Sequence, residues 1–305
     1  MKLSPVQKRI DQLFRHIDGA YAPNTLRAYR ADFEEFMLYC NKRNKKPLPA
    51  PPAVVAEFLI NASDTGIKSA TIRRKIASIS AVHRLLDLSD PTKSSAAKLA
   101  LRKIHRKLGT HFKQAYPVTN TVLQQLLAAC EKDLRGLRNR ALLWLAYDSM
   151  RRRSELVSLR IEDIEINDNH LLSVRLRRSK TDQTGSGCWI HLSKEASKAI
   201  LNWLNAAKLK DGFIVRGIDP IGSVNEQLGV GQVGRIFKGL AKCAQLNDEA
   251  VRGISGHSMR VGSAQDLLIR GASLPQLMVK GGWSKADTVM RYVERVRHSV
   301  SIRSM

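Results

Sequence analysis

Apolar side chains recur at Leu26, Tyr29, Phe33, Phe36 and Met37, the i, i+3, i+4, i+7 spacing that lays one stripe along a helix. Asn24 and Thr25 stand just before the stripe and suit a helix N-cap. The run 45-KKPLPAPP-52 breaks the pattern, and residues 54–60 open the next helix. Ser69-Ala70-Thr71 starts another, in which Ile72, Ile76, Ile79 and Val82 are expected to face inward and Arg73, Arg74 and Lys75 outward. Residues 6–112 therefore read as a helical bundle. The basic stretch 102-RKIHRKLG-109 leads into 110–120, and the domain boundary is placed there, dividing the chain into 1–112 and 113–305. No internal repeat or low-complexity tract stands out.

A helix is expected over 122–148. The period then changes: Val174 and Leu176 alternate with Arg175 and Arg177, and Ile190 and Leu192 mirror them across Gly185-Ser186-Gly187. That pattern predicts a small antiparallel sheet with a hairpin. Helices are expected to resume at Lys194 and continue to the end. The fold class is mainly α in two lobes: an N-terminal helical bundle and a C-terminal, mainly helical domain with a small antiparallel β-sheet.

Charge narrows the partners. Among 305 residues, 51 Lys and Arg stand against 27 Asp and Glu, a formal +24. Such a surface attracts polyanions, nucleic acid first among them. The basic residues are spread along the chain without a polybasic segment beside an apolar anchor, which argues against a membrane partner. No signal-peptide pattern follows Met1, and the longest apolar run, 141–147, is too short to span a bilayer. Cys40, Cys130, Cys188 and Cys243 are isolated, so neither a zinc knuckle nor a secreted disulfide framework is expected. A cytoplasmic protein with buried thiols fits.

The last fifty residues carry the chemistry. Gly271 ends a helix that begins near Ser258, Ser273 caps the next with Pro275 in its first turn, Gly281-Gly282 stops it, and 284-SKAD-287 resembles a capping box for the last. His257 and Arg260 thus fall at one helix start, Trp283 in a turn, and Tyr292 about two turns into the final helix. Singly, each has an ordinary explanation: a structural histidine, an ion-paired arginine, a packing tryptophan, and a core tyrosine on the stripe of Val289, Val293 and Val296.

Together, His-x-x-Arg, Gly-Gly-Trp and a tyrosine nine residues beyond resemble the C-terminal signature of the tyrosine recombinases, the phage integrase family. Upstream, 152-RRSELVSL-159 is similar to the family's Arg-x-x-Glu-Leu-x-x-Leu box, and 178-RSKT-181 to its β-hairpin lysine. The resemblance is specific over roughly 140–296 and looser over 20–112. One departure stands out: the family usually has a small and an apolar residue before its first arginine, and this chain has Met150-Arg151. The box register selects Arg152 from the run Arg151-Arg152-Arg153 and sets it at i, i+3 from Glu155 on a helix face. Without the resemblance, that pair would be an ordinary surface ion pair.

The resemblance implies a clamp of two lobes around duplex DNA and a covalent 3′-phosphotyrosyl intermediate. Tyr292 would be the nucleophile. Arg152 and Arg260 would bind the non-bridging oxygens, with His257 and Lys180 sharing proton transfer. Trp283 would donate its indole N–H to a phosphate oxygen, and Glu155 would hold Arg152 and His257 in place. Because a phosphotyrosine ester keeps the free energy of the broken bond, no ATP, metal or other cofactor is implied. It further implies a homotetramer on DNA with inverted-repeat half-sites and a Holliday junction, the tail beyond Tyr292 (Val296, Val300, Ile302) docking on a neighbour. Arg73, Arg74, Lys75, Gln232 and Arg235 are the candidates for contact with the DNA itself. A type IB topoisomerase-like relaxing enzyme and a non-catalytic basic DNA-binding regulator are the alternatives.

Overall fold

The computed structural model describes residues 4–109, 114–179, 182 and 185–292. The chain forms two compact units, Met1–Lys113 and Gln114–Met305. The expected fold class is borne out in its elements: mainly helix with one small antiparallel sheet.

The first unit holds α1 (Pro5–His16), α2 (Pro23–Asn41), α3 (Pro52–Asp64), α4 (Ser69–Leu85) and α5 (Ser95–Leu108). Helix α2 packs on α4, and α3 on α5. Phe33, Phe36, Phe58, Ile72, Ile79 and Val82 form the centre of the core, each such side chain stabilising the fold by about 1.5–3 kcal/mol. Helix α2 starts earlier than its cap residues suggest. Pro23 occupies the first turn, where its missing N–H costs nothing, and Asn24 instead accepts a hydrogen bond from Arg27 Nη1 at 3.0 Å.

One expectation for α4 is corrected. Lys75 does not face outward with Arg73 and Arg74; it is 2% exposed, paired with Glu35 and lying 4.0 Å from Asp32. The helical period explains it, because position 75 falls on the same face as Ile72, Ile79 and Val82. Arg73 and Arg74 remain exposed, with Arg74 Nη2 held 3.1 Å from Asp32.

His83, on the same helix, is fully buried. Its Nδ1 donates to the Ile79 carbonyl at 2.8 Å, and its Nε2 accepts the Ala50 N–H at 3.1 Å. A protonated ring would oppose two N–H groups, and burial holds the pKa below the ordinary histidine value. The unfolded chain therefore binds the proton more readily. The stabilisation is complete above an unfolded pKa of about 6.5 and is lost as pH falls through the lower folded value. Melting temperature of the full chain is expected to fall between about pH 7.5 and pH 5 more steeply than that of His83→Gln. Parallel pH dependences would exclude His83 as the source.

The second unit begins with α6 (Asn120–Ala128) and α7 (Leu134–Ser149), two helices where one was expected over 122–148. Asp133 divides them: its carboxylate accepts the Gly136 N–H at 2.7 Å and caps α7. After the one-turn α8 (Arg153–Leu156) come β1 (Ile164–Ile166), β2 (Leu172–Leu176) and β3 (Cys188–His191), antiparallel in the order β1-β2-β3. Val174 pairs with Ile190 as the alternation predicts. Gly185 and Gly187 take φ of 85° and 74° in the hairpin, a region that favours glycine.

Helix α9 (Lys194–Ala206) is followed by an irregular stretch, 207–229, so the expected unbroken return to helix is corrected. Its backbone polar groups are met locally: the Ile214 carbonyl accepts from the buried Trp203 Nε1 at 2.8 Å. Then come α10 (Val230–Cys243), α11 (Asp248–Gly253), α12 (Ser258–Ile269), α13 (Leu274–Gly281) and a helical run over 286–292. Helix α7 packs on α9 and α12. Asp266 of α12 accepts from the Tyr147 hydroxyl at 2.5 Å and from the Asn120 N–H at 2.6 Å, fastening α12 to α7 and α6.

Candidate active site

Helix α7 ends at Ser149, and Met150 turns the chain sharply in the left-handed region, φ 54°. Arg152 is then the N-cap of α8, extended rather than helical. Glu155 Oε2 accepts the Arg152 N–H at 3.0 Å, while Oε1 accepts from Arg152 Nη1 at 2.8 Å. The i, i+3 pair therefore forms through the cap and not along a helix face. Glu155 is 4% exposed, so this is no surface ion pair; the cap fixes the direction in which the guanidinium projects. Of its neighbours, Arg153 is exposed and Arg151 is buried.

Arg260 lies in the first turn of α12, which follows His257 as N-cap. It is 1% exposed. Its Nη1 donates to the Met150 carbonyl at 2.5 Å, and Cζ sits 4.0 Å from the centre of the Trp283 ring, a cation–π contact. Nη2 is buried without a partner among the described residues. Burial first, then the positive charge of Arg152, lower its pKa to about 10, with Tyr292 and Glu155 pulling upward; it stays charged at neutral pH.

Trp283 follows Gly282, whose left-handed φ of 62° ends α13. Its N–H closes the turn on the Met278 carbonyl at 2.9 Å. A side chain at Gly281 would collide with the Trp283 ring. Trp283 packs with Met150, Ala264, Leu277 and Val289 in a small apolar cluster on whose edge Tyr292 lies. The rings of Trp283 and Tyr292 are 5.3 Å apart, inclined by 41°. Tyr292 is half-buried. Its carbonyl accepts from Gln265 Nε2 at 3.1 Å and from Gln114 Nε2 at 3.3 Å.

Ser273 caps α13 as expected, reciprocally with Gln276. The final run starts at 286, two residues beyond Ser284, and its first turn closes with the Thr288 N–H on the Lys285 carbonyl at 3.1 Å. The ring of His257 is at the rim with its own surface exposed. The protein around it, then the charges of Arg260, Arg153 and Arg152, lower its pKa, with Glu155 opposing. A neutral imidazole at neutral pH results.

Arg152, Glu155, His257, Arg260, Trp283 and Tyr292 thus come together around the Met150 elbow and the start of α12. Lys180 and the tail with Val296, Val300 and Ile302 lie outside the described residues. Arg235 is exposed on α10, and Gln232 accepts the Gly229 N–H at 3.0 Å. Three participants escape a reading of the sequence: Gln265, the Met150 carbonyl and Arg151. Met150-Arg151 shows in the sequence only as a departure from the family pattern, and Gln265 only as a polar residue at the end of the stretch 261-VGSAQ-265. No helix among the described residues is long and apolar enough to cross a membrane.

The model of the phage integrase family matches residues 117–298, more than half of the chain. The chain belongs to the phage integrase family. The family's N-terminal SAM-like domain matches residues 10–88 of the chain. Similar proteins include Recombinase cre of Escherichia phage P1, 27% identical over 307 residues (95% of this chain and 89% of that protein). An integrase/recombinase xerD homolog of Selenomonas ruminantium is 28% identical over 292 residues (92% and 84%). Among solved structures, XerH recombinase bound to palindromic difH substrate in a post-cleavage complex has a TM-score of 0.68 at 16% identity, covering 98% of this chain and 85% of its own. A lambda integrase tetramer bound to a Holliday junction has a TM-score of 0.64 at 18% identity, covering 96% and 81%. These two establish the fold. Membership makes this protein an enzyme of a class that transfers DNA strands.

Proposed function

We propose that this protein is a site-specific recombinase that cleaves and rejoins duplex DNA through a 3′-phosphotyrosyl intermediate. The observation that carries the reading is a buried, charged Arg260 whose Nη2 has no partner among the described residues, stacked on the Trp283 ring that abuts Tyr292. A buried donor without a partner is costly, and a phosphate oxygen would satisfy it with a charge-assisted bond.

In this reaction the Tyr292 oxygen attacks phosphorus and the bond to the 5′ oxygen breaks. Arg152 and Arg260 neutralise the two non-bridging oxygens as their charge grows. A phenol with a pKa of about 10 is almost wholly protonated at neutral pH and must lose its proton on attack. His257, neutral beneath its guanidiniums, suits the role of acceptor. Lys180 delivers a proton to the departing 5′ oxygen. Glu155 holds Arg152, and Trp283 donates its indole N–H to a phosphate oxygen. Arg73, Arg74, Gln232 and Arg235 belong to the DNA-contacting surface, with affinity that falls steeply as salt rises. Four protomers act on two inverted-repeat sites and pass through a Holliday junction, with the tail beyond Tyr292 docking on a neighbour.

Footprinting on DNA from the element that carries the gene gives the site, and a supercoiled plasmid with two copies of it gives the test. Recombinant circles are the expected product. Relaxation without site preference would point to a topoisomerase-like enzyme, and tight binding with no adduct on a nicked duplex to a regulator.

A further inference from the structure

The residue before the first catalytic arginine is a third guanidinium, and it is badly provided for. Arg151 is 6% exposed. Its Nη2 donates to the Lys280 carbonyl at 3.2 Å, while Nε is buried without a partner among the described residues. No carboxylate among the described residues lies within ion-pairing distance of it. The nearest in sequence, Asp148, is spent on Ser193 N at 2.5 Å and Lys280 Nζ at 3.3 Å. The Arg151 guanidinium presses so closely on Gly282 that any side chain there would collide with it.

We propose that Arg151 is a positioning residue for strand cleavage, anchoring the turn that carries Trp283 and holding a third positive charge behind Arg152 and Arg260. The inference rests on the reaction proposed above. A buried charge lacking a counter-ion lowers stability, and an apolar residue of similar volume in its place is often neutral or stabilising. Such a group persists where it serves a site. Three features tie Arg151 to this one. It is bonded through the chain to Arg152. It touches the glycine that aims Trp283. Its charge acts on Arg260, in the same direction as that of Arg152. A phenolate or a phosphorane forming beside Trp283 gains from that charge, whereas the neutral phenol does not. Cleavage, rather than binding, is the step that needs it.

Single-turnover cleavage of a nicked suicide duplex, measured from about pH 6.5 to 9.5, tests the proposal on the full chain. Arg151→Met is expected to melt no lower than wild type and to bind the duplex within about twofold. It should cleave at least about tenfold slower near neutral pH and recover as the pH rises. Arg151→Lys, which keeps the charge, should regain most of the rate and the wild-type pH profile. Cleavage by Arg151→Met within about twofold of wild type overturns the proposal. So does an equal loss at every pH together with a lower melting temperature, the behaviour of an ordinary packing residue. Failure of Arg151→Met to fold contradicts the stability expectation, and Arg151→Lys then reads the charge alone. If the wild-type protein forms no adduct, the recombinase reading itself fails, and that outcome is distinct from an active wild type matched by Arg151→Met.

Discussion

Tyr292→Phe is expected to abolish the covalent protein–DNA adduct, a loss of at least about 10⁴-fold in cleavage, while binding the same duplex within about twofold. The expectation of intact binding and folding follows from what holds the residue. The ring packs 5.3 Å from Trp283, and its backbone carbonyl is fastened by Gln265 and Gln114. Phenylalanine keeps both. The hydroxyl itself takes no hydrogen bond among the described residues, so its removal should change stability by less than about 0.5 kcal/mol. A denaturing gel with end-labelled nicked duplex reads the adduct, and a mobility shift reads the affinity. An adduct that survives in Tyr292→Phe would place the nucleophile elsewhere.

Arg260 carries the second large effect. Arg260→Lys is expected to cleave about 10²–10³-fold slower with little change in duplex affinity. The guanidinium points two ways at once: Nη1 holds the Met150 carbonyl at 2.5 Å, and Nη2 is buried without a partner among the described residues. A lysine ammonium is a point charge without the planar fork, and it cannot present both directions together. Arg260→Met separates chemistry from stability. It fills the space beneath Trp283, removes a charge that is 1% exposed, and should melt within a few degrees of wild type while cleaving no faster than Arg260→Lys. Wild-type cleavage by either variant would remove Arg260 from the site. Rates under single-turnover conditions, with melting temperatures alongside, give the comparison.

Much of this site was legible before any fold, and the reason is local. Helix ends are written in caps and glycines, so Ser273, Gly281 and Gly282 place α13 and the Trp283 turn. Period-two alternation likewise places β2 and β3 with Val174 opposite Ile190. What escaped depends on contacts between distant segments or on helical phase. For Lys75 charge and helical phase conflict, and phase wins: its position between Ile72 and Ile79 marks the inner face. The pairing of Arg152 with Glu155 was foreseen, but its form was not: a four-residue helix with Arg152 at its cap differs from a helix-face pair only once Met150 turns the chain. The burial of Arg151 is set by Gly282 and Lys280, far along the chain, and no window around 150–153 reveals it. The irregular 207–229 lacked a period to read.

In the proposed reaction Arg152 and Arg260 neutralise one scissile phosphate. A nicked duplex carrying an uncharged methylphosphonate at that linkage tests it most directly, with single-turnover cleavage measured for wild type, Arg152→Ala and Arg260→Ala. The roughly 10²–10³-fold losses of the two variants on normal DNA are expected to shrink to within about tenfold on the uncharged linkage, which lacks one of the two non-bridging oxygens and carries one negative charge fewer in the ground and transition states. Equal losses on both substrates would contradict it.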